Sequence, residues 1–141
     1  MSTEEEIRRL MVELRLLEGT AETLQARMSF VNAVLNELNL ANKTLEGLAE
    51  KGREDTVFVP IGGGSYIKAK LENTDKIVYG VGAGVAIEKT LDETKGEIMN
   101  RISELNKTKL ALEQQFRQII QRIQEDQTRF RELTAVSEKQ T

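Results

Sequence analysis

The chain has 141 residues, of which 20 are Lys or Arg and 23 are Asp or Glu, giving a formal net charge of −3. This length suits one domain, and the small acidic excess provides no general positive field for nucleic acid. Cys and His are both absent, which excludes disulfides, Cys/His metal sites and Ser-His-Asp catalysis, so we expect no cofactor and no enzyme activity. No apolar run approaches the roughly 18 residues that cross a bilayer, which predicts no membrane contact and a soluble, cytoplasmic protein.

The first predicted element is a long helix with a heptad repeat. Only 4% of the chain is aromatic and one residue is proline, a composition that favours long helices. From Ile7 onward, apolar residues recur at steps of three and four over about six heptads, which is typical of a coiled coil. A capping-box sequence at Ser2 and a Lys51-Gly52 ending predict a helix over residues 4–51. Its seam comprises Ile7, Leu14, Ala21, Met28, Leu35 and Asn42 at position a, and Leu10, Leu17, Leu24, Val31, Leu38 and Leu45 at position d.

Residues 55–88 change to a period of two and are predicted to form two tandem β-hairpins. Glycine-rich turns, Gly62-Gly63-Gly64 and Gly82-Ala83-Gly84, separate β-branched stretches, and no complete phosphate-binding motif includes them, so we assign these glycines to turns. Apolar residues lie on both faces of the strands, and isolated hairpins are marginal in water. We therefore expect the hairpins to assemble with those of other chains into a shared β-barrel. The assembly residues are Val57, Val59, Ile61, Ile67, Ala69, Leu71, Ile77, Val78, Tyr79, Val81, Val85 and Ile87.

A second heptad repeat follows a capping box at Thr90 and predicts a helix over residues 90–136. Folding the chain back on itself makes layers whose residue numbers add to 140, such as Leu10 with Phe130. The predicted fold is therefore α+β, a single domain with a long antiparallel two-helix coiled coil and two β-hairpins inserted between the helices. Both ends of the chain then lie together at one tip. The second seam comprises Lys95, Ile102, Lys109, Phe116, Ile123 and Phe130 at a, and Leu91, Ile98, Leu105, Leu112, Ile119, Asp126 and Leu133 at d.

Four polar residues interrupt the two seams: Asn42, Lys95, Lys109 and Asp126. Polar seam residues cost stability but penalise other registers and partners, so register control is their expected role. Asp126 lies opposite Leu14 in the predicted layers. We expect this polar layer to encourage fraying of the tip.

Apolar residues that lie off the seam indicate a contact surface near the tip. Met11, Val12 and Leu16 occupy positions e, f and c of the first helix, and Val136 occupies position g of the second. In a two-helix coil such positions face water or only flank the core. Scattered apolar surface residues are common, and Leu40 also lies off the seam away from the tip, so the position of these residues alone does not define a site.

Two strings in the hairpin segment carry a family resemblance. They are VFVPIGGGSYIKAKL at residues 57–71 and DKIVYGVGAGVAIEKT at residues 75–90, which contain V-P-x-G-x-G and V-G-x-G-x-x-x-E-K-T. Found between two long coiled-coil helices, these strings resemble the prefoldin alpha subunit family. The helices match that family only as heptads. Two hairpins, where beta-type subunits have one, indicate the alpha type.

The resemblance implies a hetero-hexamer of two alpha and four beta prefoldin subunits, with the hairpins forming a β-barrel platform. It also implies an ATP-independent holdase that captures non-native polypeptides at the coiled-coil tips and transfers them to a group II chaperonin. Methionine and partly exposed apolar groups suit such adaptable binding. The residues assigned to this client-binding tip are Ile7, Leu10, Met11, Val12, Leu14, Leu16, Leu17, Ile123, Phe130, Leu133 and Val136.

The alternative function is a coiled-coil scaffold or tether that binds folded partners. The heptad pattern of the two helices supports this alternative equally. The oligomerising hairpins and the apolar tip favour the holdase, because a tether binds one defined partner whereas a holdase binds many unfolded chains. An enzyme is disfavoured, because the sequence lacks His, Cys, a pocket-forming core and a nucleotide fingerprint.

Overall fold

The structure is a computed structural model that describes residues 2–139. Two long helices flank two antiparallel β-hairpins, which confirms the predicted α+β fold with hairpins inserted between the helices. Each hairpin is a two-stranded sheet of its own. The elements are α1 (Thr3–Ala49), β1 (Thr56–Gly62), β2 (Ser65–Lys70), β3 (Lys76–Gly82), β4 (Val85–Thr90) and α2 (Leu91–Lys139).

Both helices begin at side-chain caps. At the start of α1 the backbone N–H of Glu5 donates to Ser2 Oγ over 3.2 Å. At the start of α2 the backbone N–H of Glu93 donates to Thr90 Oγ1 over 3.1 Å, and the Thr90 hydroxyl donates to the Glu93 carboxylate over 3.2 Å. These contacts satisfy amide groups that have no partner within the first helical turn. The capping sequences therefore act at the positions where the sequence places them.

The helix ends lie within three residues of the expected ones. Helix α1 stops at Ala49, because the N–H of Lys51 then bonds to the C=O of Leu48 at 3.0 Å, a contact three residues back that closes a tighter turn. Helix α2 begins at Leu91, because Thr90 is both the last residue of β4 and the cap. The second helix then continues three residues past its expected end.

The described residues fall into two compact units, and each is considered by itself. The first, which we call the terminal unit, comprises the residues up to Val34 and those from Leu105 onward. All its a and d positions from Ile7 to Leu133 are buried or half-buried, which confirms the predicted seam in this unit. Its most buried apolar side chains are Leu10, Ala21, Leu24, Val31, Leu112, Ile123 and Leu133.

The second unit, the hairpin unit, comprises Leu35–Glu104. Its a and d positions are likewise buried or half-buried. Thr94 is the most buried polar residue, with 1% exposure, and its hydroxyl donates to the C=O of Thr90 over 2.9 Å, so burial leaves the group satisfied. The buried apolar side chains of this unit are Leu35, Leu38, Leu45 and Ile98.

The two hairpins share one register. Gly62 pairs with Ser65 in the first hairpin and Gly82 with Val85 in the second, so a two-residue loop closes each, and a bulge precedes each loop. The loop residue Gly63 has a φ of 59°, in the left-handed region that glycine adopts most easily. The assignment of these glycines to turns is therefore confirmed.

Candidate functional site

The hairpins expose apolar side chains on both faces, and we call this set the hairpin surface. Phe58 on β1 and Val78 on β3 are 64% and 72% exposed. Each strand pairs along one edge only within the described residues, and an isolated two-stranded hairpin is marginal in water. Further strands would bury these side chains and pair the open edges. The hairpin surface comprises Phe58, Val59, Ile61, Tyr66, Ile67, Val78, Val81, Val85 and Ile87.

Seven of the twelve residues predicted for assembly belong to the hairpin surface. The other five are half-buried in the hairpin unit: Val57, Ala69, Leu71, Ile77 and Tyr79. Val57 lines a groove with Leu48 of α1, and Ile77 lines another with Leu48 and Ile98. Val57 and Ile77 thus lie beside the chain's own helices, while the exposed residues remain open to a partner.

Phe58 and Tyr66 belong to the hairpin surface although the list of assembly residues predicted from the sequence omits them. They are 64% and 62% exposed. Successive side chains of a strand point to opposite faces, so Phe58 lies on the face opposite Val57 and Val59. In the sequence, both residues could have been identified as aromatic residues on the strand face opposite the one that carries the assembly residues. A strand with apolar side chains on both faces needs packing partners on both.

Tyr79 and three side chains near it link the second hairpin to α2, and we call these four residues the Tyr79 cluster. Lys89 Nζ lies 5.4 Å from the centroid of the Tyr79 ring and forms an ion pair with Glu97. Arg101 Nη1 donates to the Tyr79 hydroxyl over 3.3 Å. The side chain of Lys89 is only 17% exposed, so its cation is largely withdrawn from water and its partners matter more than those of a surface lysine. The direction of the second hairpin is therefore set by charge and ring contacts.

The terminal unit contains all eleven residues predicted to bind clients, but it exposes only four of them. Leu10, Ile123 and Leu133 are buried in the seam, and Ile7, Leu14, Leu17 and Phe130 are half-buried there. Exposed apolar groups can contact a partner directly, whereas the seam residues become accessible when the helices separate. The exposed residues, which we call the terminal apolar set, are Met11, Val12, Leu16 and Val136.

Phe30 is a further exposed apolar residue of the terminal unit. It is not among the residues predicted to bind clients. Its side chain is 70% exposed and lines a shallow groove with Val31 and Leu112. A second groove is lined by Leu16 together with Ile119. The signal for Phe30 is an aromatic residue at position c, off the seam. The apolar surface of the terminal unit therefore extends beyond the terminal apolar set.

Two seam residues carry a buried oxygen atom that has no hydrogen-bond partner within the described part of the chain. These atoms are Asn42 Oδ1 in the hairpin unit and Asp126 Oδ2 in the terminal unit. Burial raises the pKa of the Asp126 carboxyl above its usual value; the negative charge of Glu13 adds to this rise and Arg122 opposes it. The packed seam thus disfavours the ionised form of Asp126.

Residues 2–139 contain no group of three or more acidic side chains placed to hold a metal ion. Over the same residues, no helix is both long enough and apolar enough to span a membrane.

The exposed surfaces and the fold together define a class of protein. Hairpins with open edges and apolar faces are marginal alone in water, and their edges can accept partner strands. The two-helix seam of the terminal unit carries apolar side chains outside its core, where they are free to contact other molecules. The chain is thus of the class of coiled-coil proteins that carry two β-hairpins with open edges between their helices.

Comparison with known proteins agrees with this class. Residues 17–135 match the prefoldin family, under the description prefoldin subunit. The chain is 33% identical over 111 residues to prefoldin subunit alpha of Methanopyrus kandleri, which covers 79% of this chain and 71% of the relative. It is 31% identical over 127 residues to prefoldin subunit alpha of Methanococcus vannielii, which covers 90% of this chain and 82% of the relative.

A solved structure shares the fold. The cryo-EM structure of filamentous PFD from Methanocaldococcus jannaschii matches with a TM-score of 0.68 and 28% identity, over 79% of this chain and 93% of that chain. The chain therefore belongs to the prefoldin alpha subunit family, which confirms the resemblance carried by the hairpin strings. As a member of this family it is a chaperone subunit, and prefoldin subunits form oligomeric assemblies with one another.

Proposed function

We propose that the chain is the alpha subunit of a cytoplasmic hexamer that contains two alpha and four beta prefoldin subunits. The hexamer captures non-native polypeptides without ATP and transfers them to a group II chaperonin. The observation that carries this proposal is the terminal apolar set, four exposed apolar side chains in one unit of the chain. Burial of apolar surface is non-directional, so such a set binds unfolded chains without requiring one defined sequence.

The arrangement of the terminal apolar set suits capture of unfolded chains. Val12 and Leu16 are four residues apart on α1, so their side chains are neighbours on one face of the helix. Met11 lies about 100° around the helix from Val12 and has a flexible, polarisable side chain that adapts to irregular partners. A client segment with apolar side chains contacts Val12 and Leu16 together without separating the helices, and Met11 offers a further apolar side chain on the same unit.

The hairpin surface supports the assembly part of the proposal. Its apolar side chains lie on both faces of two separate two-stranded sheets, and open strand edges adjoin them. Hairpins of beta subunits supply both missing features, since they add strands to the edges and side chains to the faces. Closure into a barrel then leaves no edge open.

A matched pair of double variants tests where clients bind. Met11→Gln with Leu16→Gln removes apolar surface from the terminal unit, where these side chains are 51% and 67% exposed. Met99→Gln with Leu40→Gln is the control in the hairpin unit, where the exposures are 54% and 66%. Each variant is assembled with beta subunits, and a chemically unfolded protein is diluted into the complex without ATP. Aggregation, followed by light scattering, is expected to rise with the first variant and to stay suppressed with the control.

Two other results would contradict the proposal. Equal protection by both variants would move client binding away from the terminal apolar set. No protection by the unsubstituted complex, after native mass spectrometry has verified its assembly, would favour the scaffold that binds folded partners.

A further inference from the structure

The seam of the terminal unit contains a half-buried carboxylate, one oxygen of which the packing does not satisfy. Asp126 occupies a d position, where its neighbours one heptad away on α2 are Ile119 and Leu133. Its Oδ2 atom is buried and has no hydrogen-bond partner among the described residues. An oxygen of an ionised carboxylate that loses water without gaining a partner costs more than an oxygen of a neutral polar group does.

The charged groups around Asp126 come from both helices. Glu13 and Arg9 face it from α1, and Arg122 and Glu125 are its charged neighbours on α2. The guanidinium of Arg122, the cation with the larger effect on Asp126, donates to Glu13 Oε1 over 2.7 and 3.0 Å and is therefore engaged with another carboxylate. Burial and the Glu13 charge together outweigh the two arginines, and they raise the pKa of Asp126.

We propose that the charge of Asp126 controls opening of the seam in the terminal unit. The ionised carboxylate favours an opened seam, which offers further apolar surface to a client. Opening returns the carboxylate to water and exposes Leu10, Ile123 and Leu133, which are 3%, 8% and 6% exposed in the packed unit. Protonation of Asp126 removes the charge and favours the closed seam. The client-binding part of this inference rests on the proposed function, whereas the opening itself does not.

The direction of the pH dependence follows from linkage. The packed seam binds the proton of Asp126 more tightly than the opened seam does, because the opened seam exposes the carboxyl to water. The closed form is therefore favoured at acidic pH and loses stability as pH rises through the raised pKa. Above this raised pKa the carboxylate is ionised and the balance shifts toward opening.

Asn42 provides a matched control within the same chain. Its Oδ1 is also buried in the seam without a partner among the described residues, but its amide carries no charge at any ordinary pH. Asn42→Leu and Asp126→Leu both replace an unsatisfied polar seam residue with the residue type that the seam prefers. Only Asp126→Leu also removes a titratable group.

The test is amide hydrogen exchange by mass spectrometry on the assembled complex, corrected for the intrinsic effect of pH on exchange. At about pH 7.5, Asp126→Asn and Asp126→Leu are expected to slow exchange in the terminal unit, the Leu variant by about tenfold. Asn42→Leu is expected to leave exchange in the terminal unit unchanged. The difference between the unsubstituted chain and Asp126→Asn is expected to shrink as the pH falls to about 4.5, and that comparison removes the titration of other carboxylates, which both chains share.

Three results would overturn the inference or one of its parts. If the terminal unit exchanges equally fast in the unsubstituted chain and in Asp126→Leu at neutral pH, the carboxylate does not favour opening of the seam. A difference that persists unchanged at about pH 4.5 would remove charge as the cause. Slower exchange in Asp126→Leu with undiminished client capture would overturn the claim that the opened seam binds clients. If the unsubstituted complex captures no client at all, the proposed function fails, while slower exchange in Asp126→Leu still supports the opening.

Discussion

Arg122 on α2 donates two hydrogen bonds to a single oxygen of Glu13 on α1, from Nη2 at 2.7 Å and from Nε at 3.0 Å. One heptad away, Arg129 Nε donates to Glu6 Oε1 over 3.2 Å. In both pairs the residue numbers add to 135, so the two helices keep one antiparallel register across this heptad of the terminal unit. The four side chains occupy position g, beside the apolar seam. They therefore fix the register, while the seam supplies the burial.

Reversal of the acidic side of these pairs is expected to destabilise the terminal unit. Glu13→Arg with Glu6→Arg places like charges together beside the seam, which should lower the thermal midpoint by a few degrees and speed amide exchange in the terminal unit. The effect should weaken as salt is raised, because the pairs are partly exposed and screened. Adding Arg122→Glu and Arg129→Glu restores opposite charges and should recover the midpoint. Failure of the fourfold variant to recover would contradict the role of these pairs in fixing the register.

The parts of the fold that depend on local patterns were predictable from the sequence. The heptad seam follows from steps of three and four, and burial at its positions needs no knowledge of partners. The hairpin turns follow from Gly62-Gly63-Gly64 and Gly82-Ala83-Gly84, since a two-residue loop needs positive φ, which glycine adopts most easily and which Ala83 also adopts, at 53°. Exposure of Met11, Val12 and Leu16 follows from their off-seam positions.

The contacts that depend on how elements are placed in space were not predictable. Arg122 has several acidic residues within reach along the sequence, and only the helix register selects Glu13. The Tyr79 cluster depends on the angle of the second hairpin to α2, which no sequence period encodes. The division of the client-binding tip into exposed and seam residues likewise depends on packing, because Leu10 and Leu16 both belong to the predicted tip although Leu10 is buried and Leu16 is exposed.

The cap at Thr90 is expected to stabilise the start of α2. Thr90→Ala removes both contacts with Glu93 and should lower the free energy of unfolding by about 1 kcal/mol, the typical cost of losing such a cap. Thr128→Ala is the control, because the Thr128 hydroxyl donates only to the Gln124 C=O of its own helix, over 2.9 Å. Urea titration of both variants measures the difference. An equal loss in the two variants would show that the cap contributes no more than a mid-helix threonine.

The aromatic ring of Tyr79 is expected to hold the second hairpin to its helix. Tyr79→Leu removes the face that Lys89 contacts and the hydroxyl that Arg101 reaches, which should cost about 1 kcal/mol and speed amide exchange in β3 and β4. Tyr66→Leu is the matched control in the first hairpin, where the ring is 62% exposed. Exchange measured on the free chain should change in the first variant and stay the same in the second. Faster exchange in Tyr66→Leu with no change in Tyr79→Leu would show that the Tyr79 cluster does not hold the second hairpin to α2.

The exposed faces of the hairpins are expected to decide assembly with partner subunits. Phe58→Ser with Val78→Ser removes large apolar groups from the hairpin surface without touching the helix seam, so the helical content of the free chain should persist. Native mass spectrometry after mixing with beta subunits should then show loss of the assembled complex. Phe30→Ser with Leu110→Ser is the control, since both side chains are exposed off the seam in the terminal unit, at 70% and 64%. If the first variant assembles as completely as the control, the hairpin surface has no role in assembly. The apolar groups removed from Phe58 and Val78 would then contribute nothing to subunit association.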